Sequence, residues 1–169
     1  MKYSYNKWVG ILSILTITLL VPACGKPKET AFQKQLGVPG GKWDYKFQPN
    51  FTFDIPDTTA KYKVYLIVRH DAAFPNANIW VRIKTKMPED KQFDAGNRKE
   101  AVLSAPDGQW LGSNIGALYE HKILLTAGKD YPKFSKKGTY NITLEQIMRE
   151  NPLPSVVNIG LRVERLDIK

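Results

Sequence analysis

From Phe51 onward the apolar residues of this chain recur with a period of two. Phe51, Phe53 and Ile55 alternate with polar residues up to Pro56-Asp57. Tyr62, Val64, Leu66 and Val68 then form one face of a run whose other face is Lys63, Tyr65, Ile67 and Arg69. The pattern returns in Ile79, Val81 and Ile83, in Tyr140, Ile142 and Leu144, and in Val157, Ile159, Leu161 and Val163. Successive side chains of a strand point to opposite sides, so each run predicts a strand with one face against a core. Turn signals separate the runs at Pro56-Asp57, Phe74-Pro75-Asn76, Pro106-Asp107-Gly108, Lys137-Gly138 and Asn151-Pro152-Leu153-Pro154. About seven or eight short strands so spaced predict an all-β fold, an antiparallel β-sandwich of jelly-roll-like form. Its core would hold Tyr62, Val64, Leu66, Ile142, Leu144, Leu161 and Val163. Leu144 to Glu150 is the one helical candidate, and a strand continuing through Ile147 fits it equally well.

The N-terminus follows another rule. Lys2 and Lys7 precede Trp8 to Leu20, an uncharged and mostly apolar run. A membrane-spanning helix needs about 20 apolar residues, and this run stops short of that, so it reads as a signal peptide. It ends in Val21-Pro22-Ala23-Cys24. A small residue followed by Cys at an export signal resembles the bacterial lipobox, where the thiol is acylated and the chain is cut before it. The predicted organisation is therefore a lipoprotein signal peptide over 1–23, an acylated N-terminus and linker over 24–41, and the sandwich domain over 42–169. The linker contains Lys26-Pro27-Lys28-Glu29 and Gly37-Val38-Pro39-Gly40-Gly41. Treated as flexible coil, Cys24 to Trp43 spans roughly 25 Å and lets the domain stand clear of a membrane.

Composition narrows the chemistry. In 169 residues there are one Cys and two His, which excludes a disulfide scaffold and a Cys-based zinc site. The net charge of +9 invites a nucleic-acid reading, but an exported lipoprotein does not meet cytoplasmic DNA. Lys61, Lys63, Lys84, Lys86, Lys122, Lys129, Lys136 and Lys137 alternate with apolar residues or lie in turns, as solvated strand faces and protected edges do. Ser104, Ser113, Ser135 and Ser155 lack a Gly-x-Ser-x-Gly elbow and a nearby His. Asp54, Asp57, Asp71, Glu89 and Asp94 make no distinctive carboxylate pair. His70, beside Asp71 at a strand end, reads as a surface or hydrogen-bonded His. The expectation is a non-enzyme with no metal and no cofactor.

Two loops carry candidate binding chemistry. Asp71, Asn76 and Asn78, with Phe74 and Trp80, combine polar groups and aromatics as a sugar or calcium site on a sandwich rim would. The structural alternative is that the Asx side chains cap turns. Asp107, Gln109 and Trp110 sit in Pro106-Asp107-Gly108-Gln109-Trp110-Leu111-Gly112. Trp110 is either an exposed partner-binding anchor or a plug at the rim of the core. Trp43, Trp80 and Trp110 fall in three separate segments, so the sequence leaves their convergence open.

Several blocks together resemble one family. They are Phe53-Asp54-Ile55-Pro56-Asp57-Thr58-Thr59, Tyr62 to His70 with Phe74 to Ile79, Ala105 to Gly112, Gly138 to Arg149, and Leu153-Pro154 leading to Val157–Glu164. In this order behind a lipobox they resemble the gliding motility lipoprotein GldH family. The resemblance implies a lipid-anchored cell-envelope protein that supports the gliding machinery and its associated secretion apparatus by contacts with envelope proteins. Cys24 would carry the lipid. Lys26 and Lys28, in place of an acidic run after Cys24, imply a periplasm-facing protein of the outer membrane. The alternative is a glycan-binding sandwich module of the periplasm, with a saccharide as partner.

Overall fold

The computed structural model describes residues 30–125 and 134–166. The predicted signal peptide, Cys24 and the first part of the linker lie outside the described residues. Strands β1 (Thr30–Gly37), β2 (Lys42–Trp43), β3 (Asn50–Ile55), β4 (Lys61–Asp71), β5 (Asn78–Lys86) and β6 (Asn97–Val102) are followed by β7 (Ser113–Ile115), β8 (Leu118–Leu124), β9 (Gly138–Gln146), β10 (Leu153–Pro154) and β11 (Val156–Leu166). They form an antiparallel β-sandwich. One sheet has the order β1-β11-β4-β8-β7 and the other β3-β9-β5-β6, with β2 and β10 paired at one end. Phe32 of β1 meets Phe53 of β3 at 5.3 Å between ring centres, closing one side of the sandwich.

The alternation predicted the core because both sheets bury one face. Phe51, Phe53, Ile55, Val64, Leu66, Val68, Ile79, Val81, Ile83, Tyr140, Ile142, Leu144, Leu161 and Val163 are all buried in one cluster, with Tyr62 half-buried against it. Ile67, on the predicted outer face of β4, is buried as well. Glycines lie in left-handed backbone where the turns require them: φ is +86° at Gly108 and +73° at Gly116 between β7 and β8.

Three details differ from the sequence reading. The sandwich begins at Thr30 and not at 42, because β1 pairs along β11 from Thr30↔Glu164 to Gly37↔Asn158. An edge strand that half-buries only Phe32, Gln35 and Leu36 has the composition of a linker. Of the two readings of Leu144 to Glu150 the strand is the one found, one residue short of Ile147: β9 ends at Gln146, paired with Val81, and Ile147 to Glu150 form neither helix nor strand. In β11 a bulge between Val156 and Asn158 shifts the alternation, so Val156 is buried and Val157 only half-buried.

The topology gives the domain two unlike ends. Thr30 lies with the end of β11, the start of β4 and the end of β8. At the other end are the β4–β5 connection, the β6–β7 loop and the residues between β9 and β10.

Candidate functional site

The second end contains two distinct constellations. The first surrounds the chain's two histidines, which lie 51 residues apart in sequence but on paired strands β4 and β8. His70 and His121 are 0% and 3% exposed, and their Nε2 atoms are 2.9 Å apart. His70 Nδ1 is 2.7 Å from the carbonyl oxygen of Asp71, which can only accept. With both rings neutral, His70 therefore carries its proton on Nδ1 and accepts at Nε2 from the His121 Nε2–H, an assignment made from the network. Trp110 stands edge-on to His70 at 4.4 Å, with Phe74 at 5.0 Å and Tyr119 at 5.7 Å completing an aromatic box. Burial pushes both imidazoles below the ordinary histidine value, His121 to about 4, with the charge of His70 adding to the effect there and the Asp71 groups opposing it at His70.

This cluster decides how Trp110 sits: it is half-buried against the core, and its backbone bridges to Ser104. The adjoining residues form the predicted turn. Gly108 N donates to Ala105 O at 2.9 Å, and Asp107 Oδ1 accepts from Gln109 N at 3.0 Å. Asp107 and Gln109 are exposed, as is Leu111 at 61%. Gly112 is required for close approach, since a Cβ there would lie 2.7 Å from Glu120 O and 2.8 Å from His121 Nε2.

The second constellation is a pair of adjoining surface grooves of about 390 Å³ each, which share Ile147 and Met148. Asn76, Trp80, Arg98, Arg149 and Glu150 line one, and Tyr45, Lys46, Gln48, Glu145 and Gln146 the other. A fully buried amide holds the wall between them. Gln146 Nε2 donates to Trp43 O, Glu150 O and Asn151 Oδ1 at 3.2–3.3 Å, while its Oε1 accepts from Met148 N at 2.8 Å. Ile147 N donates to Trp80 O at 2.9 Å, and Tyr45 OH donates to Met148 O at 2.6 Å. Trp80 projects from the outer face of β5 with the Arg98 guanidinium 5.4 Å from its ring centre.

The predicted site residues are thus divided. Asn76 and Trp80 share a groove; Trp110 belongs to the histidine box; Trp43 is buried, its Nε1 donating to Phe47 O at 2.8 Å. Asp71 caps the turn after β4, accepting from Ala73 N at 2.8 Å, and Asn78 donates to Glu100 Oε1 at 2.5 Å. Of these two only Asp71 caps a turn; Asn78 ties the start of β5 to β6. Sequence reasoning missed the histidine pairing and the contributions of Tyr45, Met148, Arg98 and Arg149. No periodic signal marks them, because they lie in loops or face solvent. Among the described residues no three His, Cys, Asp or Glu side chains gather as metal ligands.

The model of the GldH lipoprotein family matches residues 30–163. The chain belongs to that family. Among its relatives, the gliding motility lipoprotein GldH homolog of Christiangramia forsetii is 26% identical over 133 residues, covering 75% of this chain and 79% of that protein. Gliding motility lipoprotein GldH of Flavobacterium johnsoniae is 26% identical over 165 residues, covering 94% and 96%. Of solved structures, a carbohydrate-binding module specific for non-crystalline cellulose is similar with a TM-score of 0.41 and 11% identity, over 79% of this chain and 71% of that one. This GldH-family chain is accordingly a lipoprotein of the gliding-motility type, attached to a membrane; among its described residues no helix is long and apolar enough to cross one.

Proposed function

We propose that this GldH-family protein is a non-catalytic docking component of the cell envelope, held by lipid on Cys24 to the periplasmic face of the outer membrane. From there it supports the gliding machinery and its associated secretion apparatus through protein contacts. The observation that carries the reading is the family match across residues 30–163.

The geometry supports a polarity for the contact. Five residues separate Cys24 from Thr30, so the six steps between them span at most about 20 Å of extended chain. The Thr30 end of the sandwich then stays near the membrane, and the Trp110 end is turned to the partner. Asp107, Gln109 and Leu111 are exposed there, with Val102, 55% exposed, beside Leu111 in a shallow cleft. Trp110 serves by stiffening this loop from behind, Asp71 does the same for the neighbouring β4–β5 connection, and Asn78 ties β5 to β6 through Glu100.

Cys24→Ala is the test of anchoring: labelled palmitate enters the wild type and not the variant, and equal incorporation refutes the lipid site. For the contact, Leu111→Asp leaves the thermal midpoint unchanged while gliding is lost and an envelope protein disappears from affinity isolates. A stable, abundant and fully motile Leu111→Asp cell line refutes the surface. A saccharide partner, the second reading, is favoured by the groove at Trp80.

A further inference from the structure

We propose that the twin grooves flanking Ile147 and Met148 form a binding track for an acidic oligosaccharide, a function separate from the protein-docking loop. Three features of the track point to this ligand class.

The first is surface chemistry. Trp80, with the Arg98 guanidinium over its ring, lines one groove and Tyr45, 38% exposed, lines the other, so each half places an aromatic ring beside the space that the C–H surface of a sugar would enter. The second is rigidity. The wall between the grooves is held by the buried Gln146 amide, by Tyr45 OH on Met148 O and by Trp80 N, which donates to Met148 Sδ at 3.1 Å. A weakly interacting ligand with many hydroxyls gains most from walls already ordered before it arrives.

The third is charge. Glu145 is already held by Lys84 at 3.0 Å and Arg82 at 3.2 Å. Among the described residues Lys46 and Arg149 have no ion-pair partner, and the guanidinium of Arg98 rests on Trp80, whereas Glu150 is the one lining carboxylate outside an ion pair. The cations thus outnumber the carboxylates that remain for a ligand. A guanidinium fork pairs with a carboxylate in two parallel hydrogen bonds, which favours a saccharide bearing carboxylates over a neutral one. Asn76, at the outer lip, supplies a neutral donor and acceptor for hydroxyls.

The same chemistry exists in uronate polysaccharides and in the carboxylate-bearing repeats of peptidoglycan, and calorimetry with defined probes separates them. Full-length acylated protein in a detergent without a sugar headgroup is titrated with hexagalacturonate, with disaccharide-peptide fragments of peptidoglycan, and with neutral cellohexaose. Saturable binding of one acidic probe, at least tenfold tighter than cellohexaose and weakened by 0.5 M salt, is the result expected, and the probe that binds identifies the source. Arg149→Ala, at an exposed position, should weaken it tenfold or more at an unchanged thermal midpoint, and Trp80→Ala should weaken it further while Trp80→Phe restores most of it. Should Trp80→Ala fold poorly, Arg149→Ala alone decides. Absence of binding by every probe, equal binding of cellohexaose, or binding indifferent to Arg149→Ala overturns the proposal. The docking reading survives any of these results, because it rests on the family match and is tested at Leu111.

Discussion

Mild acid should destabilise this domain through its two histidines, before any carboxylate contributes. His121 is 3% exposed and its folded-state value is about 4, against 6.5 for an ordinary imidazole. Its folded value is depressed, so the unfolded chain binds the proton more readily. Stability is therefore complete above about pH 6.5 and is lost as pH falls from there toward 4. Between pH 7.5 and pH 5, this one group removes about 2 kcal/mol, or roughly 5–8 °C of thermal midpoint for a domain of this size. His70 is lowered in the same direction and adds to the loss.

The charges facing the pair are few. Arg69 and Asp71 flank His70 on β4, Glu120 and Lys122 flank His121 on β8, the Glu120 carboxylate is bound by Arg69 at 2.6 Å, and Lys122 is held by Glu164 at 2.6 Å. A proton on His70 Nε2 removes the acceptor between the two Nε2 atoms and places a cation in the aromatic box; a proton on His121 then sets a second charge beside it. The carboxylates act later. Burial alone would raise Glu164, but hydrogen bonds from Lys122 and Arg162 hold it below 4.5, so its contribution is lost only below that pH. Asp57 is likewise lowered from 3.8, by its hydrogen bonds with Thr59. Thermal melts at pH 7.5, 6.5, 5.5 and 5.0 measure the slope, and the His70→Gln/His121→Gln protein should flatten it. Imidazole carbon shifts followed by NMR read each group directly, whether or not that variant folds well. Midpoints equal at pH 7.5 and 5.0, or a folded-state His121 titrating near 6.5, would refute the reasoning.

Other perturbations test the packing. Leu66 is fully buried, so Leu66→Ala should cost about 2–5 kcal/mol, while Lys63→Ala should change stability by less than about 0.5 kcal/mol; equal midpoints would contradict the face assignment. Trp110→Ala opens the histidine box and should cost about 2–4 kcal/mol, with a lower protein level in the cell; a variant that keeps its midpoint but loses gliding would make Trp110 a contact residue instead. Gly112→Ala pushes a Cβ against the Glu120 carbonyl and His121, and should cost about 1–3 kcal/mol by chemical denaturation.

The core was legible in the sequence because a two-faced sheet imposes a rule on every second residue. Ile79, Val81 and Ile83 on β5 obey it without exception, and Tyr140, Ile142 and Leu144 on β9 obey it although Thr143, on the other face, is buried too. Strands at the margins obey it less. On β6 only Ala101 is buried, and on β7 no residue is, so Asn97–Val102 and Ser113–Ile115 carry no alternation to read. β1 escaped for the same reason, although Phe32 closes one side of the sandwich.

The sites follow a different logic, which explains why their parts were seen but not their assembly. Asn76, Trp80 and Trp110 were conspicuous as residue types in turn-rich segments. Which of them meet depends on strand order, which joins β4 to β8 and β5 to β9 across long intervals of sequence and folds β6 back on β5. The histidine pair exists because β8 sits on β4 with Val68 opposite His121; a shift of one residue would turn His121 to the other face. Trp80 and Arg98 meet because β6 returns beside β5 with Trp80 opposite Glu100, two positions from Arg98 and on the same face. Gln146 is the instructive case. A glutamine at a core position of β9 reads as a fault in the pattern, yet its amide ties the ends of three segments and shapes the wall between the grooves. A buried polar side chain costs stability unless its hydrogen bonds are met. Where the alternation breaks and every polar atom is still paired, the fold is holding loops that periodicity cannot specify.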